Sequence, residues 1–260
     1  MEIQGKPCKV CAVSEENHIV ELRLEQEKEK SILGNIYVGQ VENIAANIQA
    51  AFIQIAPGTR CYFPLSEAEH AIYSAGRKGN SPLRPGDTLL VQVSRDAMKG
   101  KLPALSANLN FTGRYLVLTT GDKKFGLSSK LSSNDRHRLS SWLKEEIDRP
   151  DKEYGLIVRT NAADATREEI LRELSWLKKR YERSALQGRN RTCFSLIMET
   201  DPFYIAALRD AYGKNLEEIL TDIPEIKENI SLYLEDNSPE LKDKLRFYQD
   251  KLLPLYKLYR

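Results

Sequence analysis

The chain has 260 residues, 41% of them hydrophobic and 29% charged, with 39 Lys and Arg against 37 Asp and Glu. These values exclude the disordered, collagen-like and disulfide-scaffold classes and leave enough apolar material for a folded core. No apolar run approaches the ~18 residues that span a bilayer, and no apolar segment near the N-terminus resembles a signal peptide. We therefore expect a cytoplasmic protein without a membrane partner.

The net charge of +2 is unevenly distributed along the chain. Residues 178–191 carry six basic side chains against one acidic, whereas residues 201–245 carry 11 acidic against 5 basic ones. A chain with separate basic and acidic regions can bind a polyanion on one face while it stays nearly neutral overall.

The first half of the sequence is rich in short strands. Alternation of apolar and polar residues predicts a hairpin from residues 9–13 and 18–24. Turn-forming Pro and Gly then separate four runs with the same alternation, which predict strands at residues 35–41, 50–55, 61–65 and 88–93. Four or five short strands within about 75 residues favour a small closed barrel, such as the OB-fold, over a seven-stranded sandwich.

Mixed patterning follows residue 108. The sequence predicts a strand at 114–119, a helix at 133–147, a strand at 154–160 and a long amphipathic helix at 165–186. Asp164 or Thr166 is the expected N-cap of the long helix. The last part is predicted to be α/β, with strands at 194–198 and 218–221 and helices at 202–212 and 238–245.

Cys8 and Cys11 form a C-x-x-C pair, which is typical of zinc ligands or redox centres. Zinc would need two further ligands, but Cys61 and Cys193 are isolated within strand-like runs, and the pair itself lies in a predicted strand. We therefore favour a structural role for the cysteines. The three histidines form no metal-ligand or triad pattern.

The sequence contains no recognisable catalytic motif. A Walker loop, a Rossmann glycine fingerprint, a G-x-S-x-G elbow and an H-E-x-x-H pair are all missing. No pair of aspartates occurs in the strand context that a magnesium-dependent nuclease requires. We therefore expect no active site within these 260 residues.

Three aromatic residues, Phe52, Tyr62 and Phe63, fall on neighbouring predicted strands of the barrel. OB barrels stack bases on such side chains where the rings lie on the outer face, with lysines following the nucleic-acid backbone. The alternative is that the rings belong to the barrel core. The pattern leaves both interpretations open for Phe52 and Tyr62.

Several segments taken together resemble a known family. The stretches NIYVGQVENI, QAAFIQI, CYFPLSE and LRPGDTLLVQVSRD resemble the S-one-type RNA-binding barrel of bacterial ribonucleases of the E/G family. The resemblance continues through KGKLPALSANLNFTGRYLVL, YGLIVRT and LRDAYGKNLEEILTD, and so covers nearly the whole chain in the family's order. Each stretch alone is weak evidence, and their collinearity makes the match specific.

The resemblance implies an α+β multidomain fold. A split RNase H-like domain formed by residues 1–30 and 193–260 would carry two insertions. These are an OB-fold β-barrel at residues 31–107 and a mixed α/β 5′-sensor domain at residues 108–192. The RNase H-like part is expected to be structural, because it lacks the acidic residues that such enzymes use.

The family's RNA-contacting residues have counterparts in this sequence. Its base-stacking aromatics match Phe52 and Tyr62, and its barrel lysine matches Lys101. The pocket that binds the monophosphate at the RNA 5′ end matches Gly113, Val117, Arg159 and Thr160. A guanidinium forks onto phosphate oxygens and a hydroxyl adds a donor, while a glycine lets backbone N–H groups approach the phosphate.

Two features depart from the family pattern. Ser129 and Lys130 stand where the family has a basic pair, so phosphate contacts there are expected to be weaker. The family's catalytic domain, with two magnesium-holding aspartates, and its zinc-linking cysteines lie beyond the region that matches residues 253–260. We therefore expect no catalytic residue, metal or cofactor in this chain, magnesium being needed only by the full-length family enzyme.

The resemblance implies the RNA-binding N-terminal part of an endoribonuclease for RNA processing and decay. Its partner would be single-stranded RNA, with a preference for a 5′-monophosphate, and the chain would be inactive alone. Any homo-oligomer would form through regions outside this sequence. Two alternatives stay open: a stand-alone RNA-binding protein without a nuclease domain, and a structural assembly module.

Overall fold

A computed structural model describes residues 2–3, 5–16, 18–26, 31–74, 82–121, 123–147, 153–211, 216–250 and 252–258. In chain order, the strands in these residues are β1 (Glu2–Ile3), β2 (Lys6–Glu15), β3 (His18–Gln26), β4 (Ile36–Ala45), β5 (Ala50–Ala56), β6 (Thr59–Pro64), β7 (Thr88–Arg95), β8 (Ala104–Ser106), β9 (Asn110–Thr112), β10 (Leu116–Thr119), β11 (Phe125–Leu127), β12 (Gly155–Val158), β13 (Leu196–Met198), β14 (Ile219–Thr221) and β15 (Leu245–Phe247). The α-helices are α1 (Ser133–Ile147), α2 (Arg167–Asn190), α3 (Phe203–Asp210) and α4 (Pro224–Asn237).

The chain divides into two compact units. Met1–Lys30 and Asp201–Arg260 form one, and Ser31–Thr200 form the other. The predicted hairpin is confirmed as β2 paired antiparallel with β3, and the helix predicted at 133–147 is confirmed as α1. Among the described residues, no helix combines the length and apolar character needed to cross a membrane.

The predicted barrel is confirmed as a closed five-stranded sheet with an OB-like fold. Its strand order is β4-β5-β6-β8-β7, and β7 pairs back onto β4. Alternation along β5 explains why the sequence forms it, since Ala51, Ile53 and Ile55 point inward and are buried while Phe52 and Gln54 point outward. The interior also contains Phe63, which is fully buried, so for this ring the core interpretation is correct.

Gly39 of β4 allows the barrel to close tightly. A Cβ at this position would lie 2.6 Å from Cγ2 of Ile53 and 3.0 Å from Cγ2 of Val91. Any larger side chain would therefore push β4 away from β5 and β7. The absence of a side chain, rather than an unusual backbone angle, is what this position requires.

The second half of the larger unit is a four-stranded sheet of order β11-β12-β10-β9, against which α1 and α2 pack. Its core includes Leu118, Leu156 and Leu177, and the same buried cluster contains Val38 and Leu90 from the outer face of the barrel. The barrel and the sheet therefore share one hydrophobic core. The predicted division at residues 107/108 stays a prediction, since it lies inside this shared unit.

The long helix α2 starts with a capping box. Of the two predicted caps, Thr166 is the one used, and its hydroxyl accepts a hydrogen bond from the Glu169 N–H at 3.2 Å. The Glu169 carboxylate accepts the Thr166 N–H in return at 2.7 Å. This reciprocal pair satisfies two donors that would otherwise lack partners at the helix start.

The smaller unit contains the β1-β2-β3 sheet with α3 against β2 and β3, and a group formed by α4 and the parallel pair β14–β15. The helix predicted at 202–212 is α3, and residue 212 lies outside the described residues. The segment predicted as a helix at 238–245 is instead a 3-10 helix, Pro239–Lys244, followed by β15. The RNase H-like assignment of this unit stays a prediction.

We predict that Gly39→Ala destabilises the protein by about 1–3 kcal/mol, because the added methyl overpacks the barrel interior. The matched control is Gly126→Ala on β11, where a Cβ would meet Ile157 at an ordinary 3.6 Å. The control should change the free energy of unfolding by less than about 0.5 kcal/mol. Urea denaturation of both variants measures the difference, and equal effects would contradict this account of barrel closure.

Candidate nucleic-acid interface

Phe52 and Tyr62 are cross-strand partners on the outer face of the barrel. Phe52 on β5 pairs directly with Tyr62 on β6. Both side chains are half-buried, whereas their neighbours Ile53 and Cys61 point into the core and are fully buried. The structure therefore favours the outward orientation that the sequence left open for these two rings.

The Phe52 ring carries a cation in the free protein. The guanidinium carbon of Arg60 lies 4.9 Å from the ring centroid, within the range of a cation–π contact. Nε of Arg60 also donates to the Glu42 carboxylate at 2.6 Å, and this hydrogen bond lowers the pKa of Glu42. A base that stacks on Phe52 must therefore move this guanidinium or stack together with it.

Lys101 lies in a turn that is connected to the strand of Tyr62. It closes a tight turn in which Met98 and Lys101 exchange two backbone hydrogen bonds, at 3.1 and 2.7 Å, and its side chain is exposed. Two residues further on, the carbonyl of Pro103 accepts the N–H of Tyr62 at 2.8 Å. The turn that holds Lys101 is thus attached to the strand that holds Tyr62.

The four predicted 5′-phosphate residues lie around the antiparallel pair of β10 and β12. The Arg159 guanidinium donates to the Gly113 carbonyl at 2.6 Å, so these two residues are in contact. Thr160 follows directly, and its hydroxyl bonds the Ser128 hydroxyl at 3.0 Å. Val117 is half-buried on β10 and pairs with Ile157.

A residue that the sequence analysis missed organises this region. The Glu173 carboxylate on α2 is buried and accepts three backbone N–H groups, from Arg114 at 2.7 Å, Tyr115 at 2.8 Å and Leu116 at 2.7 Å. Burial raises the pKa of Glu173, while the three donors and the charge of Arg159 act in the opposite direction. A signal for it existed, since Glu173 lies on the apolar stripe of a helix, where an acid needs partners.

Glu173 also explains why residue 113 is a glycine. The reason differs from the expected one, in which the glycine lets backbone N–H groups approach a phosphate. A Cβ on Gly113 would overlap the Glu173 carboxylate. The glycine therefore makes room for an internal carboxylate, and the N–H groups that follow it are already bonded to that carboxylate. The Gly113 N–H donates to the Leu116 carbonyl at 2.8 Å. The expectation that backbone N–H groups here approach a phosphate is thus not supported by their hydrogen bonding.

Two further polar side chains, Asn161 and Lys130, lie near Thr160. Within the described residues, Nδ2 of Asn161 is buried and has no hydrogen-bond partner. Lys130 is exposed in the turn after β11, where its N–H bonds the Ser128 hydroxyl at 3.3 Å. Asn161 follows Thr160 in the chain, and Ser128 bonds Thr160, so both groups lie next to the predicted pocket.

The described residues do not provide a metal site. Cys8 and Cys11 are three residues apart on β2, so their side chains project from opposite faces of the strand. No group of three His, Cys, Asp or Glu residues that could hold a metal ion occurs in the described part of the chain. The magnesium that the resemblance implies for the full-length enzyme therefore finds no suitable donor set among these residues.

A closed OB-like barrel with paired aromatics on its outer face is typical of proteins that bind single-stranded nucleic acid. The chain belongs to the Ribonuclease E/G family, whose profile matches residues 110–260. This confirms the family resemblance.

Relatives extend the match to the rest of the chain. It is 31% identical over 195 residues to Ribonuclease E of Synechocystis sp., which covers 74% of this chain. It is 26% identical over 257 residues to Ribonuclease E of Escherichia coli and 27% identical over 250 residues to Ribonuclease G of Salmonella typhimurium, covering 96% and 92% of this chain. The chain spans only 28%, 24% and 50% of the length of these three relatives, respectively.

We predict that Glu173→Ala destabilises the protein by at least about 3 kcal/mol. The change leaves three backbone N–H groups without their acceptor, at a cost of about 1–3 kcal/mol for each donor that water does not reach. Glu182→Ala, an exposed glutamate on the same helix, is the matched control and should change the stability by less than about 0.5 kcal/mol. Similar denaturation midpoints for the two variants would show that the three hydrogen bonds contribute little.

Proposed function

We propose that this chain is an RNA-binding part of a ribonuclease E/G-type endoribonuclease. It binds single-stranded RNA on the outer face of the barrel and senses a 5′-monophosphate beside Arg159. The observation that carries the proposal is the outward-facing cross-strand pair of Phe52 and Tyr62, attached to the turn of Lys101.

The barrel surface suits unpaired bases. Two aromatic rings on adjacent strands give consecutive bases a stacking surface, and stacking is sequence-tolerant because every base has a π-face. Each stacked base contributes about 1–3 kcal/mol to binding. Exposed Lys101 and the guanidinium of Arg60 supply positive charge on the same side, where the phosphates of a bound strand would lie.

The region of Arg159 suits a terminal phosphate. The planar guanidinium can make paired charge-assisted hydrogen bonds to phosphate oxygens, which are about twice as strong as neutral ones. The Thr160 hydroxyl adds a donor beside it. A 5′-hydroxyl offers neither the charge nor the acceptor oxygens, so it should gain nothing from these groups.

We predict that Phe52→Ala and Tyr62→Ala each weaken the binding of single-stranded RNA by about 1–3 kcal/mol with little effect on the melting temperature. Phe63→Ala is the contrast, because this fully buried neighbour should cost about 3–5 kcal/mol of folding stability. Lys101→Ala should reduce the slope of log affinity against log salt by about 0.7, the value for one phosphate on a single strand. Fluorescence anisotropy beside thermal melts separates these effects, and a Phe52→Ala protein that melts like Phe63→Ala would place Phe52 in the core.

We predict that the chain binds 5′-monophosphorylated RNA more tightly than the 5′-hydroxyl form of the same oligonucleotide. Arg159→Lys keeps the charge but loses the fork, and Thr160→Val keeps the shape but loses the hydroxyl, so both should reduce the preference. Arg136→Lys on α1, where the arginine is exposed, is the matched control and should leave it unchanged. Equal affinity for the two RNA ends in the unmutated chain at low salt would refute the end-sensing role.

We also predict that the 260-residue chain does not cleave RNA in the presence of magnesium. Hydrolysis of this type needs metal-held water, and the sequence has no pair of aspartates in the strand context that would hold the metal. Gel analysis of a labelled single-stranded oligonucleotide tests this. Magnesium-dependent cutting that disappears when one acidic residue of this chain is substituted would overturn the prediction.

A further inference from the structure

The basic end of α2 forms one wall of a cleft at the edge of the barrel. The cleft has a volume of about 290 Å³, and its lining includes Arg189, Arg191, Ser74, Thr88 and Thr192. These side chains supply two guanidinium groups and three hydroxyls, and none of the described lining residues is acidic. Such a lining suits an anion with several acceptor oxygens.

Both walls of the cleft are fixed by packing and backbone hydrogen bonds. On one side, a Cβ on Gly188 would overlap the Leu90 side chain, so the last turn of α2 lies directly on β7. On the other side, the Ser74 N–H donates to the Thr88 carbonyl at 3.0 Å, and the two hydroxyls bond each other. The backbone that carries the two arginines is therefore held at a defined place on the barrel surface, as are the Ser74 and Thr88 hydroxyls.

The segment after α2 is anchored as well. The Phe194 N–H donates to the Val38 carbonyl at 2.7 Å, and the Val38 N–H donates to the Ser195 carbonyl at 2.9 Å. Phe194 has a φ of 70°, a left-handed backbone that costs free energy at a bulky residue. These contacts hold residues 191–193 against β4, beside Thr88 of the neighbouring strand.

No acidic side chain among the described residues pairs with Arg189 or Arg191. In the described part of the chain, neither Arg189 nor Arg191 makes an ion pair or a side-chain hydrogen bond, and both side chains are exposed. By contrast, Arg60 pairs with Glu42 and Arg209 pairs with Asp201. The alternative role of Arg189 and Arg191 is to offset the partial negative charge at the C-terminal end of α2. A measurement of protein stability detects this effect.

A continuous row of outward-facing polar side chains joins this cleft to the aromatic pair. Thr88 on β7 pairs with Gln40 on β4, Gln40 pairs with Gln54 on β5, and Gln54 pairs with Arg60 on β6. Each of the four strands contributes one residue to the row, which extends about 14 Å across the sheet, the sum of three distances between neighbouring strands. Arg60 at its far end lies over Phe52.

We propose that the cleft at the end of α2 binds a backbone phosphate of the same RNA strand whose bases stack on Phe52 and Tyr62, with the polar row as the path between them. This inference rests on the proposed function of the barrel. The two guanidinium groups bind the phosphate and the hydroxyls complete its hydrogen bonding, so the contact is independent of base sequence.

The test compares a 5′-hydroxyl trinucleotide, which occupies the aromatic pair alone, with a 5′-hydroxyl oligomer of about 12 nucleotides, within the span of OB-fold sites. Arg189→Gln/Arg191→Gln should weaken binding of the longer RNA by about 2- to 30-fold, as expected for two exposed ion pairs, and leave the trinucleotide unaffected. The slope of log affinity against log salt for the longer RNA should fall by about 0.7, the value for one phosphate on a single strand. Arg172→Gln/Lys179→Gln, two exposed residues of α2 with the same charge change, is the matched control.

The outcomes separate this inference from the proposed function. If the unmutated chain binds neither RNA, the proposed function of the barrel fails. If it binds both RNAs and the cleft variant binds the longer RNA as tightly as the control does, the phosphate site is refuted, and a lowered melting temperature would then assign the arginines to the helix end. Arg191→Gln alone carries the test if the double variant is unstable, because Arg191 lies beyond the last residue of α2.

Discussion

The larger unit depends on the buried Glu173 carboxylate and the three backbone N–H groups that it accepts. An ionised side chain without partners would be strongly disfavoured on the apolar stripe of α2. Because three backbone N–H groups donate to it, the carboxylate attaches the segment between β9 and β10 to the helix. Gly113 is required for this approach, and the Gly113 carbonyl in turn receives the Arg159 guanidinium. The position of Arg159, at the centre of the proposed 5′-end site, is thus set by a contact that never touches RNA.

One part of the outer surface of the barrel packs into the shared core, and another part is exposed and forms the proposed RNA-binding surface. Val38 and Leu90 on β4 and β7 are buried under the sheet and α2, and Gln92 joins the two halves by accepting the Asn110 N–H at 2.7 Å. Two residues further along the same strand faces, Gln40 and Thr88 are only half-buried. The proposed RNA-binding surface therefore begins where the shared core ends. Helix α2 covers the core side, and its basic end lies at the border with the exposed side.

Local patterns in the sequence predicted much of this fold. Alternation along β5 and helical spacing in α2 are strong signals, because one face of each element is buried. Helix α4 was not predicted, although Pro224 at its start and Ile226, Ile230 and Leu234 at helical spacing indicate it. Its first turn lacks a capping side chain, so the usual start signal is missing.

For the candidate site, the sequence predicted which residues take part but not how they contact one another. Alternation suggests that Phe52 and Tyr62 share a face, but their direct pairing depends on the register of β5 and β6, which the sequence does not define. The bonds from Glu173 to residues 114–116 join segments almost 60 positions apart, and no local pattern specifies them. The same is true of the cleft, which forms only where the end of α2 meets Ser74 and Thr88.

An internal carboxylate lies near the arginine at the barrel surface and near the arginine of the 5′-end site, and these two carboxylates differ in burial. Glu42 holds Arg60 at an exposed position, where ion pairs are weak and screened by salt, so a phosphate can replace it. Glu173 is buried and accepts three backbone N–H groups, so RNA cannot displace it, and burial raises the pKa of this carboxyl group. The cleft at the end of α2 has no carboxylate among its described lining residues. Phosphate binding at the cleft should therefore weaken with salt as exposed charge contacts do, whereas binding at Arg159 should depend on the directed hydrogen bonds of a guanidinium that the Gly113 carbonyl already holds in place.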